Sequence, residues 1–263
     1  MSSSPEARVA ERLARHGAGE PVVDSAPRVQ TYLGSTSLSP APVIESDGRS
    51  IVLDLGAGSR ALGTDLDNID VGRFTSLIED AMRNAASSIA FGRWGEQRNL
   101  YRNEHFAGAS GESRTVHMGI DAFCAAGTPV NAPLAGVVEI IANNTQELDY
   151  GPMVILKHRS PDGDSFFTLY GHLDLASTRQ LRMGQTVQPG DTIAAIGRPP
   201  ENGNWPPHLH FQLIHDLLGM GADFPGVAPA SQRDFWLAMS PLPAVFFPEV
   251  DRDELDAAVV QTL

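Results

Sequence analysis

His117-Met118-Gly119-Ile120-Asp121 and His208-Leu209-His210-Phe211 bracket the stretch whose reading decides the fold, and Tyr170-Gly171-His172 lies between them. Short apolar runs punctuated by turn residues surround these three islands. Residues 134–142 are broken by Gly136, residues 153–157 follow, and Asp162-Gly163 turns the chain into residues 166–170. Val187-Gln188-Pro189-Gly190-Asp191 then gives a turn before residues 193–196. Strand-length runs at such close intervals predict a mainly β core over 106–216, a compact antiparallel sandwich or barrel-like sheet.

The islands carry the chemistry. His208 and His210 are two apart, so both face one side of a strand while Leu209 and Phe211 face the core and anchor it. One histidine of this pair can ligate a metal while the other stands beside its water. Tyr170 and His172 repeat the two-residue spacing, adding an imidazole and a phenol. His117 and Asp121 are four apart. On a flat strand they would lie about 13 Å apart at about 3.3 Å per residue, too far for shared ligation at about 2.0–2.2 Å. The chain must therefore bend between them, and Gly119 permits the bend. H-x-x-x-D, Y-x-H and H-x-H within one β region point to a metal-dependent hydrolase. A H-E-x-x-H helix, a phosphate-binding Gly-rich loop and a G-x-S-x-G elbow are all missing from the sequence.

Composition narrows the alternatives. A net charge of −13 argues against binding a phosphate backbone or an anionic membrane surface, both of which need clustered Lys and Arg. The single cysteine, Cys124, rules out an internal disulfide and reads as a buried small hydrophobe. Residues 1–26 lack the apolar core of a signal peptide, and no run of about 18 apolar residues occurs, so a cytoplasmic location without a membrane span is expected.

Outside the core, residues 1–27 read as a flexible leader with one short helix near 7–16. Residues 28–105 form an α/β N-terminal extension. Its apolar runs at 29–33, 41–44 and 51–55 suggest a small antiparallel piece. Apolar spacing from Phe74 to Ile89 predicts a helix near 70–93 capped by Asp70. Residues 94–116 read as a long polar loop in which Arg98, Tyr101, Arg102 and His105 are candidates to overhang a site, although His105 has no partner spacing and reads as a surface histidine. His158 is placed evenly between supporting the site and plain structure. Residues 217–263 wrap the core and end in a short C-terminal helix.

At the three islands the sequence resembles the lysostaphin-like zinc endopeptidases, the M23 (LytM-type) peptidase family. The likeness runs through HMGIDAFCAAGTPVNAPLAGVVEII (117–141), YGPMVILKH (150–158), LYGHL (169–173), VQPGDTIAAIG (187–197) and PPHLHFQL (206–213). The resemblance implies a lysostaphin-type peptidase fold with a groove on one face. It implies Zn2+ held by His117, Asp121 and His210, with His172 and His208 as the catalytic histidines, and a peptide or peptidoglycan-like substrate. Tyr170 is a weaker candidate as an assisting donor. The bulky loop Arg198-Pro199-Pro200-Glu201-Asn202-Gly203-Asn204-Trp205 departs from the family pattern and should narrow the groove. Two other function classes share part of the pattern. One is a binding or regulatory module that keeps the fold without hydrolysis, as a piece of a larger intracellular multidomain protein. The other is a phosphohistidine carrier, which has no need of Asp121.

Overall fold

Alternating side chains build the centre of this protein, and the computed structural model describes residues 3–64, 66, 69–100 and 112–260. In chain order the elements are α1 (Pro5–Gly17), α2 (Ala26–Leu33), β1 (Ser50–Leu53), α3 (Val71–Asn84), β2 (Ile89–Gly92), β3 (Arg114–His117) and β4 (Ile120–Phe123). Then come β5 (Pro129–Asn131), β6 (Gly136–Asn144), β7 (Gly151–Arg159), β8 (Ser165–Gly171), α4 (Leu175–Thr178), β9 (Thr186–Val187) and β10 (Thr192–Ala195). The chain closes with β11 (His208–Ile214), β12 (Val227–Pro229), α5 (Arg233–Met239), α6 (Arg252–Leu255) and α7 (Ala257–Val260).

The main sheet has the order β1-β2-β4-β11-β8-β7-β6-β9. It is a large mixed sheet, because β1 and β2 pair in parallel while the other neighbours are antiparallel, and it is open, because the edge strands β1 and β9 do not pair with each other. Two small ladders, β10 with β5 and β12 with β3, flank it. The expected β core is thus present as an open sheet with covering layers.

Both faces of the sheet are covered. Ile120, Ala122, Leu209, Phe211 and Tyr170 point to one side, where Val29 and Leu33 of α2 and the Phe246–Phe247 pair pack on them. The opposite side carries Met153, Ile155, Leu169 and Ile214 beneath Phe235 and Trp236 of α5. Burying a side chain of this size contributes roughly 1.5–3 kcal/mol, so the two layers fix β11 firmly between them. His208 and His210 share the second face with Ile214, at the end of β11 that α5 leaves uncovered.

The N-terminal flank departs from its reading in four places. Residues 5–17 are helical, and Val22 and Val23 are buried against the α5 layer, so this stretch is packed onto the protein. The run 29–33 belongs to α2, where Val29 and Leu33 share one helical face and Pro27 starts the helix. The run at 51–55 supplies β1, a parallel partner of β2. The helix expected to reach residue 93 ends at Asn84, although Asp70 caps it as expected, accepting from the Arg73 N–H at 2.9 Å. Ala86 takes φ +51°, and residues 89–92 then become β2 between β1 and β4. Ile89 fitted the helical stripe, but pairing of β2 with β1 and β4 buries residues 89–92 in the sheet. At the other terminus, α6 and α7 are single turns separated at Asp256. Among the described residues no helix is long and apolar enough to cross a membrane.

Candidate metal centre

The five predicted site residues converge on one patch. Asp121 on β4 stands directly opposite His210 on β11, and His210 in turn stands opposite Gly171 of β8. The required bend is present. β3 ends at His117 and pairs with β12, while β4 begins at Ile120 and joins the main sheet. Met118 and Gly119 make the passage between the two sheets. A Cβ on Gly119 would stand 2.7 Å from the Phe211 carbonyl and from the His210 ring, so only glycine lets β11 approach this closely.

Across that bend, His117 Nε2 lies 3.1 Å from Asp121 Oδ1, and His210 Nδ1 lies 3.1 Å from the same oxygen. The two imidazole nitrogens are 3.0 Å apart. Their protons are committed elsewhere. His117 Nδ1–H donates to the Arg93 carbonyl at 2.8 Å. His210 Nε2–H donates to Gln212 Oε1 at 3.0 Å, and that amide is oriented because its nitrogen donates to Ser240 Oγ and the Pro225 carbonyl. A neutral imidazole has one donor and one acceptor nitrogen, so the two facing nitrogens both present lone pairs. Two lone pairs and a carboxylate oxygen converging without a proton among them is a donor set for a cation. Nitrogen and oxygen bonds of about 2.0–2.2 Å suit such a span. Histidine, aspartate and histidine could therefore hold one metal ion here.

His172 and His208 stand beside this triad, their ring centroids 4.3 Å apart. Each donates Nδ1–H to a backbone carbonyl, His172 to Asn202 at 2.9 Å and His208 to Pro206 at 2.7 Å. Nε2 is therefore the acceptor nitrogen of both, and that of His208 is 3.6 Å from Asp121 Oδ1. His172 has φ +65°, a left-handed turn out of β8. Simple alternation would have sent it to the side of Tyr170; the turn brings it into the site instead.

Burial holds these imidazoles neutral. It pushes His117 down to about 4, with Arg98 adding in the same direction, and it lowers His172 and His208. Burial alone would raise Asp121, but His117 and Arg98 outweigh it and keep the carboxylate well below its usual range.

The remaining candidates separate cleanly. Tyr170 lies on the core face, its hydroxyl 2.9 Å from that of Thr168, and burial pushes it far above the usual phenol range. It takes no part in the cluster. His158 donates to the Ala135 carbonyl at 2.9 Å, meets Thr168 Oγ1 at 2.8 Å and stacks on Phe166, a structural role inside the core. Cys124 is buried as expected. Tyr101, Arg102 and His105 lie outside the described residues. Arg98 does not overhang the site; it is 2% exposed and sits beneath it, with Nη1 2.6 Å from Asp121 Oδ2.

A cavity of about 320 Å³ opens over the cluster, walled among others by Tyr150, Trp205, Leu148 and Arg114. Sequence reading missed Tyr150. Its ring is 5.5 Å from that of His210 and its hydroxyl donates to the Phe224 carbonyl at 3.1 Å. Glycines at 171 and 226 make room for it, since a Cβ at either would lie within 2.7 Å of its atoms. The Trp205 ring centroid stands 6.1 Å from that of His172 and lines this end of the cavity.

Comparison with known proteins gives a family match and distant relatives. Residues 115–220 match the description Peptidase family M23. The matched segment holds all five site residues, from His117 to His210. An uncharacterized metalloprotease of Haemophilus influenzae is 38% identical over 97 residues, covering 37% of this chain and 18% of its own. The L-Ala–D-Glu endopeptidase of Bacillus subtilis is 26% identical over 174 residues, covering 59% and 51%. The chain spans about half or less of the length of these two relatives. The catalytic domain of lysostaphin from Staphylococcus simulans is similar at 24% identity with a TM-score of 0.33, over 46% of this chain and 80% of that one. His117, Asp121, His172, His208 and His210 all fall inside the matched segment, whereas β1, β2 and Arg98 lie before it.

Proposed function

We propose that this protein is a zinc-dependent endopeptidase-like hydrolase that cleaves an amide bond in a peptide or cell-wall-type peptide. The observation that carries the reading is the convergence of two proton-free imidazole nitrogens and one carboxylate oxygen within 3.0–3.1 Å. His117, Asp121 and His210 would hold the ion. Two nitrogens and one carboxylate suit zinc. Zinc in such a site makes a water nucleophilic near neutral pH and polarises the scissile carbonyl.

The protein's own groups do the rest. His172 and His208 present neutral Nε2 acceptors to the space beside the triad, and one of them takes the proton of the attacking water. The histidine protonated in that step donates its new Nε2–H to the oxygen on which charge develops and then passes that proton to the leaving amine. Asn202 and Pro206 hold the two rings in the tautomer this requires. Tyr150 and Trp205 wall the cavity and limit the width of the chain that enters. A cell-wall-type peptide is favoured because the Bacillus subtilis relative is named for cleavage of an L-Ala–D-Glu bond.

The test combines elemental analysis with a hydrolysis panel. Protein purified without added metal or chelator is expected to hold about one zinc and to cut at least one peptide or cell-wall fragment. Full zinc occupancy with no hydrolysis across a broad panel would sink the peptidase reading and leave a metal-bound binding module. No metal in a folded protein would sink the zinc reading as well.

A further inference from the structure

Upstream of the M23 segment, Glu96 and Arg98 form a buried ion pair under the metal centre. Arg98 Nε donates to Glu96 Oε2 at 2.8 Å, and Arg98 Nη1 donates to Asp121 Oδ2 at 2.6 Å. Both side chains are 2% exposed. Glu96 is itself fixed, its Oε1 accepting the Leu55 N–H at 3.0 Å just beyond β1. The guanidinium fits because position 92 is glycine. Gly92 stands opposite Asp121 in the β2–β4 ladder, and a Cβ there would lie 2.7 Å from Arg98 Nη2 and 3.3 Å from the Asp121 Cβ. Backbone bonds clamp the same segment to β3: Gly95 N–H donates to the His117 carbonyl, His117 N–H to the Glu96 carbonyl, and Arg98 N–H to the Thr115 carbonyl. The Arg93 carbonyl that receives His117 Nδ1–H also lies 3.4 Å from Arg98 Nη2. One short segment therefore touches two of the three proposed ligands.

We infer that Arg98 is a positioning residue that occupies Asp121 Oδ2 and so commits the carboxylate to the metal through Oδ1 alone. This rests on the zinc reading given above. A carboxylate has two oxygens and can bind a cation through one or both. A charge-assisted bond to a rigid guanidinium removes one of them. It also draws electron density from the carboxylate, which leaves a bound cation a stronger Lewis acid. Glu96 neutralises the arginine, so the site gains the restraint without a net buried charge. The consequence for the architecture is that residues 92–98, outside the family match, belong functionally to the metal centre.

The test uses the full chain as Glu96→Gln, as Glu96→Gln/Arg98→Met and as Gly92→Ala beside wild type. The double variant removes the guanidinium without stranding a buried carboxylate. The single Gln variant keeps an acceptor for Arg98. Zinc affinity is read by chelator competition, and metal geometry by the visible spectrum of the Co2+-loaded protein. Wild type and Glu96→Gln are expected to give the intense absorption of a four-coordinate ion. The double variant is expected to lose about 10–100-fold in zinc affinity and to show the weaker absorption of a higher coordination number, as both Asp121 oxygens reach the ion. A double variant with unchanged affinity and spectrum would overturn the inference, even if it melts at a lower temperature. If that variant does not fold, Gly92→Ala decides by the same two readouts, because it displaces the guanidinium and keeps every charge. A wild type that takes up neither ion would sink the zinc reading and this inference with it.

Discussion

The Asn202 carbonyl lies 2.9 Å from Nδ1 of His172 and fixes which nitrogen of that ring faces the metal centre. Asn202 is fully buried, its own amide donating to the Trp205 carbonyl at 3.0 Å while its Oδ1 accepts the Trp205 N–H. The loop that lines the cavity with Trp205 is thus the loop that orients a proposed catalytic histidine.

Replacing a ligand should empty the site. His210→Ala is expected to lose the zinc that wild type retains, measured by elemental analysis of both proteins. Wild type stripped with a chelator should melt at a lower temperature. Zinc restored at about 100-fold over its dissociation constant should return about 2.7 kcal/mol of stability.

Replacing a proton carrier should not empty it. His208→Ala and His172→Ala are expected to keep about one zinc while turnover falls by about 10²–10⁴-fold. Loss of zinc in either variant would move that residue from the proton-transfer role to ligation.

Gly119→Ala tests the bend. Its new Cβ would press on the Phe211 carbonyl and the His210 ring, and overpacking of this kind costs typically about 1–3 kcal/mol. Urea denaturation should register that loss, and chelator competition should register weaker zinc binding because His210 is displaced. An alanine variant with unchanged stability and affinity would mean that β11 has room to retreat.

His215 offers a pH test away from the centre. Neither of its ring nitrogens has a hydrogen-bond partner among the described residues, and burial pushes it down to about 4. Its unfolded value is about 6.5, so the unfolded chain binds more protons between those limits. The stability this group allows is complete above about 6.5 and is lost as the pH falls toward 4. His215→Leu should remove up to roughly 3 kcal/mol of that acid-side loss, read from urea midpoints across the range. A remaining slope is expected because burial also pushes His158 down to about 4. An unchanged slope would show that His215 is not held neutral by burial.

Sequence alone determined the features that depend on near neighbours. The two-residue spacing of His208 and His210 puts both on one face of β11, with Leu209 and Phe211 locked in the core behind them. The four-residue separation of His117 and Asp121 forced a bend at Gly119, since bond lengths forbid shared ligation on a straight strand. Asp70 capped its helix because capping is a contact between neighbours in the chain. Tertiary structure decided what depends on register between distant strands. Ile89 fitted a helical stripe as well as a strand, and the pairing of β2 between β1 and β4 settled it. Tyr170 and His172 have the same spacing as the His208 pair, yet a left-handed turn at His172 sends them to opposite sides. Arg98 reads locally as one more polar loop residue; only the approach of β2 to β4, with glycine at 92, brings it beneath Asp121. Alternation along a strand is a local property of the chain, whereas the distance between two strands belongs to the packed sheet.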